Sequence, residues 1–277
     1  MKVVRTRAKL REALAVAARP VGFVPTMGWL HEGHTTLIGR ARADSATVVV
    51  SIFVNPRQFG ETADFTKYPR NEARDLAICE AAGVDLVFAP PVDEVYVPGF
   101  DTTVTIGAIA GPLEGAARPG HFDGVATVVA ILFSLVGAER AYFGLKDYQQ
   151  VRVIRRMTLD LALPTEVVAL ETVREPDGLA LSSRNARLSP VGRAAAPIIR
   201  GALLAGVACV RGGERDAAAV RAEVSRVLAT EPLAEPDYVS VADPDTLEEL
   251  VTIRDAGALL STAVTIEGVR LIDNERV

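Results

Sequence analysis

Residues 21–34 read VGFVPTMGWLHEGH. The apolar start of this stretch, Val21–Val24, predicts a buried strand, and Pro25 with the glycine that follows predicts a break. A helical pattern then begins at two histidines, His31 and His34. At this spacing both imidazoles share one face of the first helical turn, about 4.5 Å apart along the axis. The stretch therefore predicts a strand, a turn and a helix whose first turn presents two imidazoles.

The start of that helix has features suited to a polyphosphate. Unpaired backbone N–H groups and the positive end of the helix dipole lie at the same place. Gly28 and Gly33 remove side chains where a nucleotide would approach the backbone closely. Two other interpretations compete with a nucleotide site, namely a zinc site and histidines that satisfy only local hydrogen bonds.

Both competing interpretations are weaker than the nucleotide site. His-x-x-His lacks the spacing of the metalloprotease motif, and the chain has only three histidines and two distant cysteines. A purely local role is the default for one histidine, but it accounts poorly for two histidines beside two glycines. We therefore favour a nucleotide site in which the imidazoles hydrogen-bond phosphate oxygens.

Length and composition limit the class of protein. A chain of 277 residues can form one large domain and a smaller one, and its net charge of −5 argues against a nucleic-acid partner held by electrostatics. Cys79 and Cys209 form no Cys-x-x-Cys pair, which favours a reducing cytosol.

The basic N-terminus runs directly into the histidine stretch, so we expect no signal peptide. The longest apolar run, residues 124–138, is too short to span a bilayer, so we expect a cytoplasmic protein without a membrane partner.

Apolar runs alternate with helical patterns over residues 1–172. This alternation predicts an α/β fold, a Rossmann-like, doubly wound parallel sheet with functional groups at the carboxyl ends of its strands. The predicted strands are Val21–Val24, Thr47–Val54, Val84–Phe88, Ala141–Phe143 and Glu166–Leu170. The predicted helices are Gly33–Ala43, Asn71–Ala82, Val125–Val136 and Asp147–Leu161.

The pattern changes near residue 173. A turn at Glu175–Gly178 is followed by a loop rich in serine and arginine. Helical patterns over 192–211 and 215–229, and short strand-like pieces at 238–242, 257–264 and 269–272, come next. Residues 173–277 are therefore predicted to form a smaller α+β domain, which we expect to act as a lid.

Two further stretches place polar groups beside predicted elements. In VSIFVNPRQFG, residues 50–60, Asn55 and Gln58 follow a strand, and neutral amides suit a substrate's hydroxyl groups. Taken alone, they are more typical of ordinary loop amides. His121 lies in the stretch RPGHFDG before an apolar helix, for which Asp123 is the expected N-cap.

Two other stretches carry cations suited to phosphate. Lys146, in GLKDYQQ, follows a predicted strand and can hold a phosphate as a mobile point charge. A surface pair with Asp147 explains this lysine equally well. The stretch LSSRN, residues 181–185, combines two hydroxyls with the guanidinium of Arg184, which together complement a phosphate. The tripeptide Ser-Ser-Arg is also common by chance.

Together these stretches resemble the pantoate–beta-alanine ligase (pantothenate synthetase) family, within the nucleotidyltransferase superfamily that carries HIGH-type motifs. The resemblance covers residues 24–185 and a tail at Arg270–Asn274. It rests on five motifs in order, at residues 25–34, 51–60, 118–129, 144–150 and 174–185. It implies ATP-dependent condensation of (R)-pantoate with beta-alanine to give pantothenate, AMP and pyrophosphate through a pantoyl adenylate.

The resemblance also implies roles for individual residues. The groups expected to act on the phosphates are His31, His34, Lys146 and Arg184. The residues expected to line ATP are Met27, Gly28, Gly33, His34, Gly144, Leu145, Lys146, Asp147, Val173, Leu181, Ser182, Ser183 and Arg184. The residues expected to bind the other substrates are Gln58 and Gln150, followed by Asn55, Tyr68 and His121. Mg²⁺ carried on the ATP phosphates, and a homodimer, are further expectations.

Three residues depart from the family pattern, and two other functions stay open. Trp29 replaces a smaller residue and is expected to narrow the entrance to the site, while Leu145 replaces a glutamate and Leu181 a methionine. An adenylyltransferase of the same superfamily would share the histidine motif but gives no reason for the amides near Gln58. A nucleotide-binding regulator without turnover would not need Lys146.

Overall fold

The computed structural model describes residues 1–60, 65–66 and 68–277, which form two compact units. The first unit comprises residues 1–145 and 149–171, and the second unit comprises residues 146–148 and 172–277. The strands are β1 (Lys2–Val4), β2 (Val21–Thr26), β3 (Thr47–Ile52), β4 (Leu86–Phe88), β5 (Arg140–Gly144), β6 (Glu166–Leu170), β7 (Glu235–Ala242), β8 (Leu259–Ile266) and β9 (Val269–Arg276). The α-helices are α1 (Arg7–Leu14), α2 (Glu32–Asp44), α3 (Glu72–Ala81), α4 (Val92–Val95), α5 (Glu114–Ala117), α6 (His121–Val136), α7 (Tyr148–Asp160), α8 (Pro190–Ala195), α9 (Ile198–Arg211) and α10 (Ala217–Leu228).

The first unit is built on a six-stranded parallel sheet in the order β1-β4-β3-β2-β5-β6. From β2 the chain first adds strands on one side and then returns to add β5 and β6 on the other. The order therefore reverses between β2 and β5, and the crevice at the carboxyl ends of two such strands is where ligands bind in open α/β sheets. The predicted doubly wound α/β fold is confirmed.

Both faces of this sheet are covered, which explains why its strands are apolar almost throughout. Phe23 packs in a core with α1, α6 and α7, and its ring meets Phe133 edge-on at 6.4 Å. The next residue, Val24, points to the other face, into a core with α2 and α3. Cys79 lies in this second core, where burial raises the pKa of its thiol to about 12. A thiol that stays protonated is a poor nucleophile.

Three local expectations need correction. The strand β1 and the helix α1 were not predicted from the basic N-terminal sequence. The helix α6 begins at His121, because Gly120 at φ +77° occupies the N-cap position expected for Asp123. The helical pattern over residues 192–211 is two helices, α8 and α9, because Pro197 interrupts the backbone hydrogen bonding.

The second unit contains the antiparallel sheet β7-β8-β9 with α9 and α10 packed against it. A Cβ on Gly206 of α9 would lie 2.6 Å from side-chain atoms of Leu260 and Val224, so the two helices and the sheet meet closely there. The predicted smaller α+β fold is confirmed. Within the described residues, only the helical stretch 190–211 is long and apolar enough to cross a membrane, and its residues Ile199 and Leu203 are buried in this core.

Candidate active site

The loop between β2 and α2 contains two consecutive residues in the left-handed region. Gly28 has a φ of +81° and Trp29 a φ of +51°. A non-glycine residue adopts this conformation at a cost of roughly 1–2 kcal/mol. Asp75, on α3 and only 1% exposed, accepts the backbone N–H groups of Trp29 and Leu30, each at 2.8 Å. The carboxylate therefore holds the loop in the conformation from which α2 begins.

We expect Gly28→Ala to lower the free energy of unfolding by about 2–3 kcal/mol, because alanine there meets both a strained backbone and occupied space. The added Cβ would lie 2.9 Å from Oδ2 of Asp75. Gly99→Ala is the matched control, since Gly99 has a φ of +79° but nothing within 4 Å of an added Cβ. Urea unfolding measures both variants. Equal losses of unfolding free energy in the two variants would show that the space beside Asp75 does not limit the side chain at position 28.

His31 and His34 lie at the N-terminus of α2, as their spacing predicts. Nδ1 of His34 accepts the backbone N–H of His31 at 3.2 Å, so a neutral His34 carries its proton on Nε2. The two ring centroids are 4.1 Å apart. A Cβ on Gly33 would lie 3.0 Å from the His31 ring, so this ring position requires a glycine-sized neighbour. The result is an imidazole N–H donor at a helix N-terminus, where the backbone also favours an anion.

Gln58 lies in a short 3₁₀ helix after β3, and Asn55 holds its amide. Asn55 is 1% exposed and donates through Nδ2 to Oε1 of Gln58 at 3.0 Å and to the carbonyl oxygen of Gly124 at 3.1 Å. Its Oδ1 accepts the hydroxyl of Tyr96 at 2.7 Å, and burial raises the pKa of this hydroxyl, which keeps it a donor. Gln58 in turn donates through Nε2 to Sδ of Met27 at 3.2 Å. The geometry thus gives Asn55 a supporting position and brings Gln58 next to Met27.

His121 and Arg118 hold the backbone of Gln58. Nδ1 of His121 lies 2.9 Å from the carbonyl oxygen of Gln58, and a carbonyl oxygen can only accept, so Nδ1 carries the proton. Nε2 of the same ring is then an acceptor, which matches Nη1 of Arg118 at 3.3 Å. Nη2 of Arg118 also donates to the Gln58 carbonyl oxygen at 3.2 Å. His121 is 9% exposed, so its position too is a supporting one.

Two glutamines at the start of α7 differ in what they contact. Gln149 is 5% exposed, accepts the backbone N–H of Glu114 at 3.0 Å and donates to the carbonyl oxygen of Pro112 at 2.7 Å. Gln150 is half-buried, and its amide has no hydrogen-bond partner in the part of the chain that the structure describes. Of the two, Gln150 is the amide that a ligand can use.

The remaining candidates of the first unit are Tyr68, Gly144 and Leu145. The half-buried ring of Tyr68 packs edge-on against Phe59 at 5.8 Å, and residues 61–64 and 67 beside it lie outside the described residues. Gly144 ends β5, and a Cβ there would have nothing within 4 Å. Leu145 follows it and packs against the core. Packing inside the protein therefore gives no reason for a glycine at position 144.

In the second unit, Lys146 forms an ion pair with its neighbour. Its Nζ lies 3.3 Å from Oδ1 of Asp147, and the two side chains are 16% and 44% exposed. A pair with a partner this exposed contributes about 0–1 kcal/mol, so the ammonium can exchange Asp147 for a phosphate. The carbonyl oxygen of Lys146 accepts Nδ2 of Asn274 at 2.9 Å.

The serine- and arginine-rich loop of the second unit is ordered by local hydrogen bonds. The N–H of Leu181 donates to the carbonyl oxygen of Val173 at 3.0 Å. Oγ of Ser182 accepts the N–H of Arg184 at 3.2 Å and so caps the short 3₁₀ helix Ser183–Arg187. The half-buried guanidinium of Arg184 has no partner within residues 1–60, 65–66 and 68–277. This leaves Arg184 able to bind an anion.

In each unit taken by itself, the polar groups at the predicted positions suit the phosphates of a nucleotide better than a bare cation. No group of three or more His, Cys, Asp or Glu side chains is placed to hold a metal ion in the chain segments described. Most polar groups at the predicted positions are imidazole, amide, ammonium and guanidinium, with hydroxyls at Tyr68, Ser182 and Ser183 and a single carboxylate at Asp147. Mg²⁺ prefers several oxygen ligands. The phosphates of a nucleotide match these donors and can themselves carry Mg²⁺.

Comparison with known proteins identifies the family to which this chain is similar. The family model described as pantoate-beta-alanine ligase matches residues 2–276. Over 274 residues the chain is 57% identical to the pantothenate synthetase of Chloroflexus aggregans, covering 99% of both chains. It is 58% identical to the pantothenate synthetase of Chloroflexus aurantiacus, covering 99% of this chain and 97% of the relative.

Solved structures agree with the sequence comparison. The crystal structure of pantothenate synthetase from Thermus thermophilus superposes with a TM-score of 0.94 at 49% identity, covering 99% of each chain. Pantoate-beta-alanine ligase from Francisella tularensis, crystallised in complex with beta-gamma ATP and beta-alanine, superposes with a TM-score of 0.82 at 31% identity. That match covers 100% of this chain and 97% of the other.

Proposed function

Because the chain belongs to the pantoate–beta-alanine ligase family, we propose that it condenses (R)-pantoate with beta-alanine through a pantoyl adenylate. It is an ATP-dependent ligase that forms an amide bond. The observation that carries the proposed mechanism is His34, whose Nε2–H lies at a helix N-terminus that follows β2 at the sheet's switch point.

Activation is needed because a carboxylate is a poor electrophile. In the first step a carboxylate oxygen of pantoate attacks the α-phosphorus of ATP, and pyrophosphate leaves. In the second step the neutral amine of beta-alanine attacks the acyl carbon, and AMP leaves with the oxygen that joined it to pantoate. The amine loses a proton, and the products are pantothenate, AMP and pyrophosphate. Catalysis of such phosphoryl chemistry is mostly positioning and electrostatic stabilisation.

The first unit supplies hydrogen-bond donors for both substrates. Nε2–H of His34 donates to a phosphate oxygen and stabilises the charge that develops on it. His31 lies beside it, and the backbone at Met27, Gly28 and Gly33 lines the nucleotide. This assignment is supported by the loop geometry that Asp75 maintains.

Pantoate is held by the amides of Gln58 and Gln150, with Tyr68 as a further contact. Asn55 and His121 act through Gln58, one on its side chain and the other on its backbone, as their hydrogen bonds support. Neutral amides suit the hydroxyl groups of pantoate without adding charge beside the reacting carboxylate.

The second unit supplies cations and hydroxyls for the phosphates. Lys146 and Arg184 neutralise charge on the leaving pyrophosphate, and Ser182 and Ser183 donate hydroxyl hydrogen bonds. Asp147, Val173 and Leu181 of the second unit, and Gly144 and Leu145 of the first, are also assigned to ATP. Mg²⁺ would be held on the ATP phosphates, where it would reduce their negative charge.

Assembly and location complete the proposal. The enzyme works in the cytoplasm as a homodimer, and both described cysteines, Cys79 and Cys209, are free thiols that suit a reducing compartment. Residues 173–277 form a lid domain that excludes water from the adenylate, since an acyl adenylate hydrolyses readily.

The experiment that tests this function is release of AMP and pyrophosphate from Mg-ATP, with (R)-pantoate and beta-alanine supplied singly and together. We expect steady AMP release only when both are present, and pyrophosphate in amounts near the enzyme's with pantoate alone. No AMP with both substrates would contradict the proposal and favour an adenylyltransferase. Tight ATP binding with no turnover on any acid and amine would favour a regulator.

A further inference from the structure

The short segment 146–148 belongs structurally to the second unit although its chain neighbours lie in the first. The hydroxyl of Tyr148 donates to the carbonyl oxygen of Pro244 at 2.9 Å, and Nδ2 of Asn274 donates to the carbonyl oxygen of Lys146 at 2.9 Å. Two hydrogen bonds from side chains thus fasten this segment within the second unit. Of these two, only the bond from Asn274 acts on Lys146 itself.

The hydrogen bond from Asn274 to the carbonyl oxygen of Lys146 matters because few other contacts orient the Lys146 side chain. Its pairing with Asp147 is weak, since the carboxylate is nearly half exposed. The preceding residue, Leu145, carries no charge that could pair with the ammonium. A lysine has four rotatable side-chain bonds, so the reach of its ammonium is set mainly by where the backbone places its Cα.

Asn274 is well placed to fix a backbone because the strand that carries it is itself held. The preceding residue, Asp273, is 4% exposed and binds the guanidinium of Arg174 through two hydrogen bonds of 2.7 and 2.9 Å. Arg174 also donates to the carbonyl oxygen of Gly178, within the turn that leads to Leu181. Two consecutive residues of β9 therefore hold both segments of the second unit that are assigned to ATP. Asn274 holds the segment at Lys146, and Asp273 holds the segment at Arg174.

We propose that Asn274 is a positioning residue for Lys146, and that it serves ATP activation through this contact. The amide must present its NH₂ group, because the carbonyl of Lys146 can only accept. Loss of this bond lets the peptide after Lys146 rotate, which moves the ammonium away from the phosphates. The inference rests on the proposed role of Lys146.

A double-mutant cycle tests the proposal, with the initial rate of AMP formation measured against Mg-ATP concentration for the full-length enzyme. We expect Asn274→Ala to lower kcat/KM for ATP about tenfold, the scale of one neutral hydrogen bond, while the KM for beta-alanine stays within about twofold. In a Lys146→Ala background, Asn274→Ala should lower kcat/KM for ATP by less than about twofold, because its effect acts through Lys146. Arg270→Ala is the control, since Arg270 lies on the same strand as Asn274 but forms its ion pair with Asp237 of β7.

Each outcome has a distinct meaning. A tenfold fall in kcat/KM for ATP in both backgrounds would overturn the positioning role. An equal fall in Arg270→Ala would overturn it too, because the effect would then belong to the strand as a whole. A normal rate for Lys146→Ala would instead refute the proposed role of Lys146. Thermal unfolding of all four variants separates a loss of folded enzyme from a loss of rate.

Discussion

Replacing His34 with alanine is expected to lower the rate of adenylate formation by about 10²–10³, the scale for losing one hydrogen-bond donor to a transition state. The structure gives the reason, because the bond from the His31 backbone to Nδ1 makes Nε2 the donor. Pre-steady-state release of pyrophosphate with pantoate alone measures this step. The variant should fold normally, since the His34 ring lies at the start of a helix and outside both core clusters of the first unit.

His34→Gln is the matched variant, because its Nε2 is an amide donor at a similar distance from the backbone. We expect it to recover at least tenfold of the rate lost in His34→Ala, on the same scale for a single donor. An alanine variant within a few-fold of the parent would remove His34 from the mechanism. Equal losses in both variants would assign the effect to the ring rather than to its N–H.

Replacing Asp75 with asparagine is expected to lower the free energy of unfolding by about 2–3 kcal/mol, although the side chain keeps its shape. The two oxygens of Asp75 accept the N–H groups of Trp29 and Leu30, and an asparagine would turn an NH₂ group against one of them. The loop would then shift, and we expect kcat/KM for ATP to fall by about 10–10² because the α2 N-terminus is misplaced. Urea unfolding and steady-state kinetics measure the two effects.

Two further variants show whether Asp75 acts by holding the loop. Asp93→Asn makes the same chemical change at an exposed position and should alter the free energy of unfolding by less than about 0.5 kcal/mol. Trp29→Gly removes the cost of a positive φ, so it should restore part of the kinetic loss in the Asp75→Asn background. Unchanged stability in Asp75→Asn would contradict this account of the loop.

The fold was predictable where apolar periodicity was strong. The strand Glu166–Leu170 was predicted with the bounds it has, and the parallel sheet followed from the alternation of strands and helices. The strand β1 escaped prediction because it is only three residues long and its place is given by pairing with β4, a contact that sequence does not display. The strand β9 extends to Arg276 because β8 pairs along its whole length.

The candidate site was predictable at its motifs but not in its supporting contacts. The histidines and Gln58 follow the carboxyl ends of β2 and β3, where they were expected. Asn55 looks like Gln58 in sequence, yet its amide is used entirely within the protein, and burial of this kind has no local signal. Asp75 was not singled out, because an acidic residue on a helix more than forty positions after the loop resembles a surface charge.

The measurement that tests the central claim most directly follows oxygen from pantoate labelled with ¹⁸O in its carboxylate. If the carboxylate attacks the α-phosphorus of ATP, the oxygen that bridges carbon and phosphorus leaves with AMP when the amine attacks. We therefore predict one ¹⁸O atom per AMP, found by mass spectrometry, and none in pyrophosphate. Label in inorganic phosphate together with ADP, or AMP without label, would contradict a pantoyl adenylate.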